Sequence, residues 1–455
     1  MTMYTLKAFR RGSAIVATGA LLALGGCDAV DELLQAENPA AINEDQLDDP
    51  TLVEVLTNSV IGALANDYAD PIIWDATKLT DVHVSGINWP ETKDLGKRVL
   101  PYDVGPADGM FSALSRIRFL ADSISVRLDG LLENPDADRR KALVLAYAGY
   151  AYTLMAEIMC EATIDVGDKI YTPQELAQIA IGKFEQAVAV AEAAGSDADD
   201  VRNLANVGLA RAATAAGDKA KVMAAAAKVP ADFVWWVEYQ DQVMDMGMAD
   251  DVRGGNHNMG VHPRVLEMFG TYGEVVPPEA QTDPRVQFNP EPREGHDAQT
   301  ILYTPYQSLS FSGYTGTLQT DSVNPPITYE DGTDIRLGSY LDAMHNYYEA
   351  AGPDGVGPEG TTLDFVNARR AVGNQPPVSL SGDALMAELR EQRLRDLFFG
   401  GFRLGDLRRW KAQGINDPRH SFPTGTHPNP VMGEYGTAEC FPLPLSEYVG
   451  NPNLK

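Results

Sequence analysis

The chain has 455 residues, enough for one large domain or two to three ordinary ones, and its 44% hydrophobic content is ordinary for a globular core. It carries 64 acidic against 36 basic side chains, a formal net charge of −28. A surface this acidic repels a phosphate backbone, which excludes nucleic acid as a partner and otherwise serves solubility.

Residues 1–27 have the form of a lipoprotein leader. Lys7, Arg10 and Arg11 make a charged start, and the apolar run from Ser13 to Leu24 is too short to span a bilayer. Leu24-Gly25-Gly26-Cys27 places small residues before a cysteine, the pattern cut by lipoprotein signal peptidase. Cys27 is therefore expected as a lipidated N-terminus, with the mature chain anchored to a membrane and not threaded through it. Residues 37–66 lead as a tether into a helix starting near Asp49-Pro50. Residues 67–109 hold Trp74, His83, Trp89 and several Pro and Gly without a sustained period, and are expected as a long loop insertion.

Helical spacing then predicts helices over 110–128, 137–161, 173–195, 200–216 and 218–228. Ala180, Phe184 and Ala187 have the spacing of the second helix of a tetratricopeptide repeat, and Ala220, Ala224 and Ala227 repeat it. Gly208 stands where the small residue of the preceding helix belongs. On spacing alone an Ala-rich bundle serves equally well. Residues 229–332 interrupt the helices as a second insertion. Alternation from Phe233 to Tyr239 suggests a short strand there, followed by a Pro-, Gly- and Asp-rich stretch with Tyr303, Tyr306, Phe311 and Tyr314. Three more helices are predicted over 333–351, 361–372 and 382–399, and residues 412–440, with His420 and His427, make a third loop-rich insertion.

Candidate chemistry is sparse. With Cys27 lipidated, Cys160 and Cys440 are left in an oxidising compartment, where a Cys160–Cys440 disulfide is expected and two separate buried thiols are the alternative. Gly355 to Gly360 matches G-x-G-x-x-G, but no strand precedes it and Pro358 interrupts it, so it is expected as a flexible loop and no cofactor is implied. His257 and His262 lie five apart without a third ligand nearby, so no metal site is expected. Nucleophile elbow, P-loop and H-E-x-x-H patterns are missing, and no catalytic residue is nominated. The lead that stands is the set of loop aromatics, because an exposed ring can take the CH face of a sugar while nearby polar groups bond its hydroxyls.

The most informative run is Gln392 to Trp410, QRLRDLFFGGFRLGDLRRW. A helix runs in from about Ser381, Gly400-Gly401 stops it, and a short second helix carries Leu404, Leu407 and Trp410 on one face. Arg393, Asp396, Arg403, Asp406, Arg408 and Arg409 around these apolar anchors suit a partly buried network of two-pronged guanidinium–carboxylate pairs, with Trp410 in the core. This run resembles the ERxxELxFEGxRxxDLRRW stretch of the SusD/RagB family of surface lipoproteins. It departs at Gly400, where that family usually has Glu, which puts one expected salt bridge in doubt. The tail from Cys440 to Leu454 resembles the family's FPIPxxExxxNPxL ending.

The resemblance implies a mainly α, SusD-like fold: four tetratricopeptide-type helix pairs forming a scaffold with long loop-rich insertions, in one domain over 28–455. It implies a protein that is not an enzyme. Such a protein binds oligosaccharide or polysaccharide and delivers it to a SusC-type TonB-dependent outer-membrane transporter. RagB-like members serve peptide import, so a peptide ligand is one alternative, and a repeat scaffold for a protein partner alone is another. In the family, acidic residues such as Asp28, Asp31 and Glu32 after the anchor accompany export, so the expected location is the outer membrane, exposed at the cell surface. Family ligand contacts fall in loops of the first two insertions, which nominates Trp74, Trp89, Trp236, Tyr303, Tyr306 and Tyr314.

Overall fold

The computed structural model describes residues 47–240, 258–271, 273–306, 332–427 and 429–454. Cys27, His257 and Tyr314 lie outside the described residues. The chain divides into a unit of Met1–Leu52 and a unit of Val53–Lys455, and the second carries everything that follows.

Its scaffold is a run of helices: α1 Val53–Asp67, α2 Gly105–Leu131, α3 Arg139–Ile158, α4 Pro173–Ala194, α5 Asp199–Ala216 and α6 Lys219–Ala226, then α7 Tyr340–Ala351, α8 Thr362–Val372, α9 Gly382–Asp396 and α10 Arg403–Ala412. The sequence sets their starts with side-chain caps that take up free backbone donors. Asp138 accepts from Arg140 N ahead of α3, Thr172 and Glu175 form a capping box on α4, and Thr361 and Asp364 form another on α8. Helix α3 is buried from Lys141 through Ile158, as suits a helix apolar nearly all round, and it packs against α2, α4, α5 and α10.

Ala180, Phe184, Ala187 and Gly208 do the work assigned to them by their spacing, but Ala220, Ala224 and Ala227 do not: all three are exposed, and α6 turns Val222, Ala225 and Ala226 inward instead. Phe184 of α4 lies against α3 and α5 where only glycine leaves room: a Cβ on Gly149 would stand 2.7 Å from its ring, and one on Gly208 2.2 Å. Tyr150 meets the same ring edge-on, centroids 5.2 Å apart. Helix α7 packs on both α5 and α6, so helices from either side of the second insertion share one core.

Three expectations are corrected. Residues 335–339 are not the start of a helix. Ile335–Ser339 is a strand paired antiparallel with Val234–Val237, and Ser339 then caps α7 by accepting from Asp342 N. Residues 67–109 are not one irregular loop. They contain a wide helical turn Tyr68–Ile73, a helix Trp74–Lys78, a strand His83–Ser85 paired with Met259–Val261, a helix Pro90–Gly96 and the first turn of α2. The glycine-rich run 355–360 is no loose loop but a tight hairpin, Val356–Gly357 on Gly360–Thr361, pinned where the Tyr348 hydroxyl donates to Gly360 O and accepts from Glu359 N.

The C-terminal tail is held by three means. Phe441 N donates to Ile158 O at 2.9 Å and Cys160 N donates to Phe441 O at 2.8 Å. Cys160 and Cys440 are joined by a disulfide, their Cα atoms 5.0 Å apart. Phe441 and Leu443 are buried.

Candidate functional site

The C-terminal motif is assembled as a buried electrostatic frame. Asp396 accepts from Arg285 Nη1 at 2.9 Å, from Arg369 Nε and Nη2 at 2.8 Å each, and from His345 Nε2 at 2.7 Å. The guanidiniums and the imidazole hold its carboxyl well below the usual range despite burial. A carboxylate only accepts, so Nε2 carries the His345 proton, and burial keeps that ring neutral by lowering its pKa. Asp406 takes Arg393 Nε at 2.8 Å and Arg409 Nη2 at 2.9 Å. Arg403 grips Asp81, 322 positions away, with two bonds of 2.7 Å. Arg408 Nη1 donates to the carbonyls of Ala156 and Glu157 at the C-terminal end of α3, where a helix leaves acceptors free. Trp410 is fully buried and donates Nε1–H to Glu349 at 3.0 Å. At Gly400 a Cβ would stand 2.9 Å from the Phe402 ring, which accounts for glycine in place of glutamate. These residues tie α9 and α10 to α3, α7 and α8.

The open site lies elsewhere, in a cleft of about 500 Å3 built from the first insertion. The turn after α1 supplies Asp70, and the helix Trp74–Lys78 supplies Trp74, Asp75 and Lys78. The connection from strand His83–Ser85 to helix Pro90–Gly96 adds Ile87, Asn88, Trp89 and Thr92; the second insertion adds Asn258 and His296. Trp89 is the residue before Pro90, a position that steric conflict with the proline ring pushes toward extended backbone. It adopts φ −73°, ψ 122° as the N-cap residue, and its side chain is 68% exposed. Trp74 is by contrast a wall: 4% exposed, 4.5 Å from the His83 ring, with Lys78 Nζ 4.3 Å from its ring centre. Lys78 is in turn paired with Asp75 at 2.6 Å, so its charge is met within the wall.

The rim is braced. Lys93 bonds Asp297 at 2.9 Å, Asp297 N donates to Gly86 O and Gly86 N to Asn258 O, each at 2.8 Å. A Cβ on Gly295 would come within 2.8 Å of Gly86 Cα, so the two loops meet backbone to backbone. Chemically the cleft offers one exposed indole face beside carboxylate, amide, hydroxyl and imidazole groups. That suits a flat amphipathic ligand bearing many hydroxyls.

Of the nominated aromatics, the structure brings Trp74 and Trp89 together. Trp236 is half-buried and lines a separate groove with Trp235. Tyr303 is not an exposed contact: it is fully buried, edge-on to Phe288 at 5.7 Å, with its hydroxyl donating to Glu274 O. Tyr306 is half-buried, its backbone N–H donating to Gln287 O, and it does not line the cleft. Asp70, Asp75, Lys78, Asn88, Thr92, Asn258 and His296 were not nominated from sequence. Trp89-Pro90-Glu91 carries a helix-start signal that would have placed the Asn88–Thr92 wall, whereas Asn258 and His296 carry no local signal.

His262 is a structural residue. It is buried, its Nδ1 accepts from Arg264 N at 3.1 Å, and Nε2 therefore donates to the Tyr435 hydroxyl at 2.8 Å. Among the described residues no three His, Cys, Asp or Glu side chains are placed to hold a metal, and no helix is long and apolar enough to cross a membrane.

No protein-family model matches the sequence, and no curated protein matches it. Solved structures match in shape. A SusD superfamily protein from Parabacteroides distasonis ATCC 8503 superposes with a TM-score of 0.63 at 17% identity, over 89% of this chain and 98% of that one. A SusD-like carbohydrate binding protein from Bacteroides fragilis NCTC 9343 gives 0.63 at 14% identity, over 90% and 99%. Surface glycan-binding protein A from Bacteroides uniformis gives 0.62 at 12% identity, over 89% and 98%. The chain has a mainly helical, SusD-like fold.

Proposed function

We propose that this protein is a non-catalytic binding protein that captures glycan in the cleft around Trp89 and passes it to a TonB-dependent transporter of the SusC type. The observation that carries the reading is an indole left 68% exposed at a cleft of about 500 Å3 whose other groups are mostly polar. Exposing an indole costs the chain the favourable burial of a large apolar face, and a sugar ring recovers it while its hydroxyls bond the surrounding amides and carboxylates. Two of the structural neighbours are named for binding carbohydrate or glycan, and they share this fold. On this reading Cys27 carries the lipid, and the 28–455 chain sits on the outer face of the outer membrane.

The test is affinity electrophoresis of the purified chain through gels containing neutral glucans, mannans, xylans and fructans. Retardation by at least one polymer is expected, lost in Trp89→Ala, with the polymer's length distribution unchanged after prolonged incubation. Shortening of the polymer would make the protein an enzyme. Retardation by none of the polymers, with binding of oligopeptides instead, would replace glycan by peptide.

A further inference from the structure

The tandem Trp235-Trp236 forms a second aromatic surface that shares no lining residue with the Trp89 cleft. In an unbroken strand, neighbouring side chains point to opposite faces. Here the ladder slips between the two tryptophans: Trp235 stands opposite Gly338 and Trp236 opposite Arg336, leaving Leu337 as the extra residue. A bulge of this kind re-aims side chains. Beside this irregularity, Val234, Trp235 and Trp236 all line one groove of about 600 Å3, floored by Ala65 of α1 and Tyr147 of α3. The floor is fixed before any ligand arrives. Trp235 Nε1 donates to the Tyr147 hydroxyl at 3.2 Å, Tyr147 is buried in the central helix, and both indoles are half-buried.

The rim decides the chemistry. Asn58, Glu238 and Gln240 are exposed there, and Asp200 is paired with Arg139 at 2.6 Å. Among the described lining residues the charged ones are Asp200 and Glu238, with no Lys or Arg. An apolar helix or a hydrocarbon would leave the amide and carboxylate rim unmatched, and an anionic unit would face the Glu238 carboxylate and an Arg139 already engaged by Asp200. A ring with CH faces and uncharged hydroxyls matches both floor and rim. We propose that this groove is a second sugar-ring site, taking an uncharged pyranose unit of the same polymer that occupies the Trp89 cleft. Helix α1 lines the groove, and the chain running on from it supplies Asp70 and Trp74 to the cleft, so one continuous stretch of chain reaches both sites. Two sites on one polymer raise its retention through effective concentration without any new contact at the first.

The inference rests on the glycan reading, and the experiment separates them. Full chains of wild type, Trp89→Ala, Trp236→Ala and Trp236→Phe are compared on the neutral polymer that retards the wild type and on its hexasaccharide, after matched thermal melts. Trp236→Ala should weaken polymer retention tenfold or more, leave hexasaccharide binding at the cleft within twofold, and be largely rescued in Trp236→Phe. Trp236→Ala equal to wild type on the polymer, with Trp89→Ala defective, overturns the second site and leaves the glycan reading standing. Trp236→Ala with full polymer retention but loss of a co-purifying transporter makes the groove a protein contact and also overturns it. A wild type retained by none of the polymers overturns both.

Discussion

The Trp89 cleft and the Asp396–Asp406 frame are both polar, yet their polar groups are spent differently. In the frame, Asp396 alone receives four hydrogen bonds of 2.7–2.9 Å from three side chains, and Asp396 and Asp406 are at most 3% exposed. In the cleft the aromatic ring is turned outward, and Asn88 and His296 are exposed. The first arrangement fixes geometry, with both aspartates buried and fully engaged by protein donors. The second stabilises the fold little and keeps its surface for something else. A dense charged motif is therefore the poorer guide to function here, although it is the more conspicuous in the sequence.

That contrast can be broken from either side. The largest effect is expected at Asp396. Replacing it by alanine takes away the carboxylate shared by Arg369, His345 and Arg285, of which Arg285 keeps the carboxylate of Asp283, and should cost about 3–5 kcal/mol in urea unfolding, with glycan affinity per folded molecule unchanged. A loss of affinity without loss of stability would move the frame into the binding machinery. Next comes the tail. Cys160→Ser removes a cross-link spanning 280 positions and should cost about 2–4 kcal/mol, again without touching affinity.

A graded effect, smaller than either within any one pH unit, comes from pH. Burial draws His262 down to about 3 and His427 to about 4, so both are neutral in the folded chain and take up protons on unfolding below about 6.5. The unfolded state then binds more protons, and stability falls as pH falls from 6.5 toward 4, by about 1 kcal/mol per pH unit for each histidine. Urea midpoints that are flat between pH 7 and 5 would contradict this. Below that window the carboxylates of Asp396 and Asp406, both held below their usual values, add to the loss.

Much of the scaffold was legible because its helices are long and their period is sustained: 173–195 was expected and Pro173–Ala194 is found, with Phe184 and Gly208 in the roles their spacing gave them. Elements of five to seven residues were missed. Trp74–Lys78 and Pro90–Gly96 are too short for a period to emerge, and they supply Trp74, Asp75, Lys78 and Thr92 to the cleft. The strand Ile335–Ser339 was read as helix because its partner, Val234–Val237, lies about 100 positions away and exerts no local influence. Aromatic content did not separate Trp89, 68% exposed, from Tyr303, fully buried, since burial is decided by what folds over a side chain. The motif arginines were legible as ion-pair members, but Asp81, Arg285 and His345 could not be assigned to them without the fold.

The smallest stability effect belongs to the residue with the largest expected functional one. Trp89→Ala removes an exposed side chain and should leave the unfolding midpoint within about 0.5 kcal/mol of wild type. The most direct test measures both quantities on one preparation: urea unfolding and retention by the neutral polymer that the wild type binds. The account predicts an unchanged midpoint with retention abolished or reduced at least tenfold. Retention equal to wild type at an unchanged midpoint would contradict it, and the glycan would then have to be sought outside the Trp89 cleft.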